Sequence, residues 1–177
     1  MHTTQVIRSL LIGILLSIAA FNSFAANKLP KGIIQLDGES APALSLKDLE
    51  GTTTYDIKNA KGHWVFVHFW ATWCGPCRRE MPLIQTIHPK FEKSRLEIIL
   101  VNTAESEDVV FTFMGDVAPD LNPLLDLDGA VTERWQPRGL PATYLVDPDG
   151  KLRYVALGGR PWDTPEYLDF LQQLIKE

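Results

Sequence analysis

The two cysteines of this chain, Cys74 and Cys77, are the residues whose type and spacing could most directly carry out chemistry. A cysteine reacts as the thiolate, so a reactive cysteine needs a site that favours negative charge. The pair follows an apolar run, residues 65–70, and precedes a segment with helical spacing. The first turn of a helix has unpaired N–H groups and the positive end of the helix dipole. We therefore predict that Cys74 lies at a strand-to-helix turn that stabilises its thiolate.

The spacing of the two cysteines suits thiol–disulfide exchange. Cys77 would lie one helical turn after Cys74, where its sulfur can attack a mixed disulfide formed at Cys74 and release the partner. Gly75 lets another backbone approach closely, and Pro76 fits the first helical turn, where its missing N–H costs no hydrogen bond. The pattern therefore predicts a redox-active disulfide, and we expect neither a metal nor a cofactor.

Three other roles for the pair fit the sequence less well. A zinc site would need about two further ligands, and this chain has no third cysteine. A structural disulfide gains stability with the length of the loop it closes, and this loop is very short. A buried, inert pair would not explain the order Trp73, Gly75, Pro76. Redox catalysis is the interpretation we favour.

Composition indicates a single globular domain and excludes some partners. The chain has 177 residues, of which 45% are hydrophobic and 22% charged, enough for one domain with a substantial core. Its net charge is −5 and it has no basic run. These features argue against nucleic acid or an anionic membrane surface as a partner.

The N-terminal segment has the pattern of a secretory signal peptide. Arg8 precedes the apolar run 10–21, and small residues stand at Ser23 and Ala25. We predict a signal peptide over residues 1–25, a linker or irregular arm over 26–40, and one domain over 41–177. The alternative is an uncleaved membrane anchor, for which the uncharged segment reaches the lower length limit of a span. Both place the folded domain outside the cytoplasm, and we predict a bacterial periplasm.

The remaining elements are predicted from apolar periodicity and turn residues. An antiparallel hairpin within residues 43–57 is expected at a sheet edge, and residues 63–70 form a central strand covered on both faces. A helix runs from the cysteines to about Lys93, and Pro82 is expected to kink it. The later predicted elements are a strand over 96–102, a helix over 105–114, a short strand over 124–127, a brief helix over 130–135, a hairpin of strands 142–146 and 152–157, and a helix capped by Thr164 that runs to Ile175. This order predicts an α/β domain with a mixed sheet and helices on both faces.

These residues resemble the thioredoxin superfamily and, within it, the TlpA-like (ResA-like) secreted or membrane-anchored thiol-disulfide oxidoreductases. The matching pieces are the run FWATWCGPC over 69–77, Pro82, the run LPATYLVD over 140–147 and the hairpin at Gly150. The segment between Asn102 and Leu127 resembles the insertion that separates TlpA-like proteins from minimal thioredoxins. The resemblance covers about residues 41–175 and implies a thioredoxin fold with an N-terminal hairpin and a central insertion.

The resemblance also implies roles for individual residues. Cys74 would be the exposed nucleophile and Cys77 the resolving thiol. Pro141 would follow a cis peptide bond and face the disulfide. This cis-proline would hold the backbone of Leu140 open for pairing with a substrate peptide. Further substrate contacts are expected at Trp73, Gly75 and Pro76.

Two titratable residues near the pair have competing interpretations. Glu80 matches an acidic position that TlpA-like reductases use to tune the thiols, and it would exchange protons with the pair. The alternative is a solvated helix carboxylate. His68 stands where cytoplasmic thioredoxins have a buried acid, and a histidine there could take the proton of Cys77. We favour an ordinary core histidine, because burial disfavours the imidazolium.

The predicted function is a periplasmic enzyme that reduces protein disulfides and is itself reset by a membrane thiol donor. The resemblance suggests cytochrome c maturation as the pathway. An oxidase or isomerase is the first alternative, because the sequence gives no reduction potential. A copper-handling or purely binding thioredoxin-fold module is the second. A peroxidase of the same fold would need a resolving partner placed differently from Cys77.

Overall fold

The computed structural model describes residues 29–176 of the chain. It contains eight strands and four α-helices, with a 3-10 turn over Ile57–Ala60 before the central strand. The strands are β1 (Ile33–Gln35), β2 (Ser45–Lys47), β3 (Thr54–Asp56), β4 (Trp64–Trp70), β5 (Leu96–Thr103), β6 (Leu124–Asp126), β7 (Ala142–Val146) and β8 (Leu152–Leu157). The helices are α1 (Gly75–Phe91), α2 (Glu107–Val117), α3 (Ala130–Trp135) and α4 (Pro165–Leu174).

The strands form a mixed six-stranded sheet in the order β1-β8-β7-β4-β5-β6. Strands β4, β5 and β6 are parallel to one another, whereas β7, β8 and β1 each run antiparallel to their neighbour. The C-terminal ends of parallel strands point the same way, so the segments that follow β4, β5 and β6 lie side by side at one end of the sheet. The prediction of a mixed α/β sheet flanked by helices is confirmed.

The central strand β4 explains how the cysteines are positioned. All seven of its residues are buried, as expected for a near-continuous apolar run between two layers. Phe66 and Trp70 pack into the core under α1, α2 and α4, while Val67 and Phe69 pack into a second core on the opposite face. This rigid strand ends at Trp70, a few residues before Cys74.

The predicted N-terminal hairpin is present and covers one edge of the sheet. Strands β2 and β3 pair antiparallel as a separate two-stranded sheet. Asp48 forms a bridge with Leu124 of β6, and the Leu49 N–H donates to the Pro123 carbonyl at 2.8 Å. Edge strand β6 is therefore covered on its outer side by the connection between β2 and β3.

Part of the predicted linker belongs to the sheet. Residues 33–35 form β1, which pairs antiparallel with β8, and Ile33 is buried within the core. A strand of three residues is too short to show a recognisable alternation of apolar and polar side chains. The expectation of an irregular arm is therefore wrong for these residues, and the proposed division into linker and domain stays a prediction.

Several predicted boundaries shift by small amounts. Helix α2 begins at Glu107 rather than Glu105, since Ala104 takes a left-handed conformation with φ 54° and Ser106 is the N-cap. Thr164 is the N-cap of α4, but its hydroxyl donates to the Pro161 carbonyl instead of accepting from the helix. The buried face of α4 consists of Tyr167, Phe170, Leu171 and Leu174, while Leu168 and Ile175 are only partly buried.

Between residues 29 and 176, no helix is long and apolar enough to cross a membrane. The predicted signal peptide, residues 1–25, lies outside the described residues.

Candidate active site

Cys74 lies at the junction of β4 and α1, as predicted. It is the N-cap residue of α1, with an extended backbone, and Pro76 lies in the first helical turn. The Cys74 Sγ accepts a hydrogen bond from the Cys77 N–H at 3.3 Å. A sulfur in this position can receive a free helix N–H and the positive end of the helix dipole, and both favour a thiolate.

Cys74 and Cys77 form a disulfide with their Cα atoms 5.2 Å apart. Cys74 is 5% exposed and Cys77 is fully buried. The expectation that Cys74 is exposed is therefore wrong for the disulfide form, because its sulfur is bonded to that of buried Cys77 and both residues pack in the core under α1. The remaining access is nevertheless unequal, and it favours Cys74 as the sulfur that a partner reaches first.

Pro141 follows a cis peptide bond with Leu140, so the predicted cis conformation is confirmed. The next residue, Ala142, pairs with Phe69 of β4, which places Leu140 and Pro141 at the end of the sheet where the cysteines lie. The Pro141 carbonyl accepts from the Gly158 N–H at 2.7 Å. Leu140 is half-buried. Its predicted contact with a substrate peptide stays a prediction.

The residues around the disulfide differ sharply in exposure. Trp73 is 70% exposed, whereas Trp70 is fully buried. Gly75 and Pro76 are also exposed. The predicted contacts of Trp73, Gly75 and Pro76 with a substrate stay predictions.

Glu80 is a buried residue of α1, near its N-terminus, and has specific hydrogen-bond partners. It is 2% exposed, so the alternative of a solvated carboxylate is wrong. Its Oε1 accepts from the Arg160 N–H at 3.2 Å and from the indole N–H of Trp162. Its Oε2 has no hydrogen-bond partner within residues 29–176.

The environment of Glu80 favours the protonated acid. Burial raises the pKa of this carboxyl to about 7, and the hydrogen bonds from Arg160 and Trp162, together with the Arg160 charge, only partly oppose that shift. Glu80 follows Cys77 by three positions, a spacing that places two side chains on one helix face. A carboxyl with this pKa exchanges protons near neutrality, which is the property required of a general acid or base.

His68 is a fully buried residue of β4. Its Nδ1 shares a hydrogen bond of 2.9 Å with the Thr143 hydroxyl on neighbouring strand β7, and its ring stacks on Phe66. Burial lowers the pKa of His68 to about 3, so the ring is neutral at physiological pH. These observations favour the core histidine over a proton acceptor for Cys77.

Sequence reasoning missed Arg160 and Trp162, the two residues that hold Glu80. Trp162 is fully buried and packs edge-on against Phe66 at a centroid distance of 4.8 Å. It lies 82 residues from Glu80 in the chain, so no local spacing could pair them. A cleft of about 370 Å³ opens here and is lined by Pro76, Glu80 and Arg160, among others.

Comparison with known proteins agrees with this geometry. A family model described as the AhpC/TSA family matches residues 38–155. The chain belongs to the AhpC/TSA family. The thiol-disulfide oxidoreductase ResA of Bacillus subtilis is 34% identical to it over 122 residues, which are 69% of this chain and 68% of the relative.

Solved structures show the same fold. The thioredoxin domain of a thiol-disulfide oxidoreductase from Bacteroides vulgatus has a TM-score of 0.66 and 27% identity, covering 78% of this chain and 96% of that domain. A secreted thiol-disulfide isomerase from Corynebacterium glutamicum has a TM-score of 0.68 and 20% identity, covering 82% and 91% respectively. The chain therefore has a thioredoxin fold and is a thiol-disulfide oxidoreductase of the ResA type.

Proposed function

We propose that this enzyme reduces protein disulfides, with Cys74 as the nucleophile and Cys77 as the resolving thiol. The observation that carries the proposal is the unequal placement of the two sulfurs. Cys74 keeps some access to solvent at the N-terminus of α1, whereas Cys77 is fully buried behind it. A reductase of this kind needs one sulfur that meets the client and one that only meets the first sulfur.

The reaction follows from this arrangement. The Cys74 thiolate attacks one sulfur of a client disulfide, that bond breaks, and the other client sulfur leaves as a thiolate. The Cys77 thiol loses its proton and attacks the Cys74 sulfur, which breaks the mixed disulfide and releases the reduced client. The pair has then given up two electrons and is a disulfide. A membrane thiol donor would restore the dithiol.

Glu80 is proposed to handle the proton in the second step. Its carboxylate can accept the proton of Cys77, because a pKa of about 7 leaves part of the carboxyl ionised at neutral pH. His68 is a weaker candidate for this role, because burial lowers the pKa of its ring to about 3 and so makes the neutral ring a poor proton acceptor.

The direction of electron flow is proposed from the Gly75-Pro76 dipeptide, which resembles that of reducing thioredoxins. The location proposed is a bacterial periplasm, supported by the signal-like pattern of residues 1–25 and by likeness in fold to a secreted isomerase. The resemblance to TlpA-like proteins supports cytochrome c maturation as the pathway. An oxidase or isomerase is the alternative that a measured potential would establish.

Two serine variants and a redox titration test this function. Cys77→Ser should trap a mixed disulfide with a client through Cys74, whereas Cys74→Ser should trap none and should abolish insulin reduction. Titration of the wild-type pair against glutathione should give a potential more negative than about −200 mV, in the range of reducing thioredoxin-like proteins. Equal trapping by both variants would contradict the assigned roles, and a potential near the oxidising value of about −120 mV would reverse the direction.

A further inference from the structure

The carboxylate of Glu105 bonds the backbone turn that leads into Cys74. Its Oε2 accepts from the Thr72 N–H at 2.7 Å, and its Oε1 accepts from the Thr72 hydroxyl. Thr72 and Glu105 are 33 residues apart in the chain and follow neighbouring parallel strands, β4 and β5. One side chain from the loop after β5 thus holds the loop after β4.

Glu105 is itself held in place by the sheet. Oε2 also accepts from the Asn102 side-chain amide at 2.8 Å. Asn102 is fully buried near the end of β5, in register with Trp70, near the end of β4. Between Asn102 and Glu105, Ala104 has a left-handed backbone conformation, and its N–H donates to the Asp126 carbonyl at 2.9 Å. The carboxylate therefore has a fixed position relative to the end of β4.

Thr72 is held from its other side as well. The guanidinium of Arg78 donates to the Thr72 carbonyl at 3.2 Å and lies 5.0 Å from the centre of the Phe113 ring. The preceding carbonyl, of Ala71, accepts from the Cys74 N–H at 3.2 Å. The N–H, the hydroxyl and the carbonyl of Thr72 are thus all bonded, and Thr72 lies within the turn, residues 71–74, that ends at Cys74.

We propose that Glu105 is a positioning residue for the reaction. Through its bonds to Thr72 it fixes the turn of residues 71–74, and so it keeps the Cys74 sulfur at the N-terminus of α1. This inference rests on the proposed function. The disulfide ties Cys74 to Cys77 only in the oxidised form, so in the dithiol and in the mixed disulfide the backbone anchors must keep the two sulfurs aligned. Misplacement of a reacting atom by about 1 Å can cost ~100-fold in rate.

Replacement by glutamine separates position from charge. The oxygen of a glutamine can accept from the Thr72 N–H and from Asn102, and its amide can donate to the Thr72 hydroxyl, which is also an acceptor. Glu105→Gln therefore keeps the bonds and removes the charge, whereas Glu105→Ala removes both. Glu107, an exposed carboxylate at the start of α2, supplies the matched control Glu107→Ala.

The experiment compares these variants in the mature chain by two readouts. The first is the rate of insulin reduction, and the second is the pH profile of Cys74 alkylation in the reduced protein. Glu105→Ala should slow insulin reduction ~10-fold or more and move the alkylation midpoint to higher pH, because the sulfur loses its fixed place against the Cys77 N–H. Glu105→Gln and Glu107→Ala should stay within about twofold of wild type and leave the midpoint unchanged.

Three results would overturn the inference. The first is a folded Glu105→Ala protein with wild-type rates, and the second is a Glu105→Gln protein as impaired as Glu105→Ala. The third is an alkylation midpoint that falls to lower pH in both Glu105 variants, which would indicate an effect of charge. If Glu105→Ala does not fold, Thr72→Val replaces it, because it removes the hydroxyl bond and should slow the reaction severalfold. If wild type fails to reduce insulin, the proposed function is wrong, while the alkylation profiles still decide the position of Cys74.

Discussion

At the scale of single residues, two buried titratable groups have pKa values that are shifted in opposite directions. Burial in the core raises the pKa of the Glu80 carboxyl to about 7 and lowers that of the His68 imidazole to about 3. Each shift favours the uncharged form, as expected when a charge leaves water. Only Glu80 is thereby brought into the range where protons move at neutral pH. Burial therefore leaves the carboxyl, rather than the histidine, as the group suited to the proposed proton exchange with the thiols.

The first prediction concerns the effect of Glu80 on stability. The folded protein binds the Glu80 proton more tightly than the unfolded chain does. The contribution of the protonated Glu80 carboxyl to stability is therefore fully present below its ordinary pKa of 4.5 and is lost as the pH rises to about 7. At about 1.4 kcal/mol per unit, the free energy of unfolding of wild type should fall by about 3 kcal/mol relative to Glu80→Gln between pH 4 and pH 8. Urea unfolding of the disulfide form at several pH values measures this difference.

The control for this prediction is Glu107→Gln, which removes an exposed carboxylate and should follow the wild-type curve. Parallel curves for wild type and Glu80→Gln would show that Glu80 titrates alike in the folded and unfolded chains.

At the scale of elements, the loops after the parallel strands are organised by carboxylates from the strands or from the loops themselves. Helix α3 has Gly129 as its N-cap, which offers no side chain. Buried Asp126, the last residue of β6, takes over this function: it accepts from the Val131 N–H at 3.0 Å and from the N–H and hydroxyl of Thr132, both at 2.7 Å. The end of one element thus determines where the next one begins.

The second prediction follows from this cap. Asp126→Ala should lower the free energy of unfolding by about 2–3 kcal/mol, since it removes a helix cap and leaves buried donors unpaired. Asp128→Ala is the matched control, because among residues 29–176 exposed Asp128 accepts only from the Ala130 N–H, at 3.0 Å, and its loss should cost less than about 1 kcal/mol. Chemical denaturation compares the two, and equal losses would argue against the cap.

Most of the elements could be predicted because their signals are local. The apolar run of β4, the spacing of the cysteines and the turn before Lys151 each lie within a few residues, and the cis bond before Pro141 came from the family resemblance. The partners of Glu80 and Thr72 could not be predicted, because Trp162 and Glu105 reach them only through the fold. The exposure of Cys74 was misjudged, since a sequence pattern does not show how deeply the disulfide packs.

At the scale of the whole molecule, the N-terminal arm forms the edge of the sheet opposite to β6. Strand β1 lies beyond β8, and Leu29 packs with Ile33 against the core under α1, α2 and α4. The Tyr167 hydroxyl of α4 donates to the Lys31 carbonyl at 2.6 Å. This arm therefore joins the outermost strand to the last helix.

The third prediction tests whether the arm is part of the folded domain. Ile33→Ala should lower the free energy of unfolding by about 2–4 kcal/mol, as expected for a side chain that is 7% exposed. Its neighbour Ile34 is 48% exposed, so Ile34→Ala should cost no more than about 0.5 kcal/mol. Thermal unfolding of both variants is the measurement. A flexible linker would instead give two small and similar effects.

The hairpin over β6 has a consequence for contact with unfolded polypeptides. A polypeptide that has not yet folded carries free amide and carbonyl groups, and an uncovered strand invites it to add on as a further strand and begin an aggregate. The bridge from Asp48 to Leu124 occupies that margin of the sheet. Unfolded chains are thereby discouraged from pairing there, and under the proposed mechanism the sulfur of Cys74 is the point of attachment, through a bond that thiol exchange can undo.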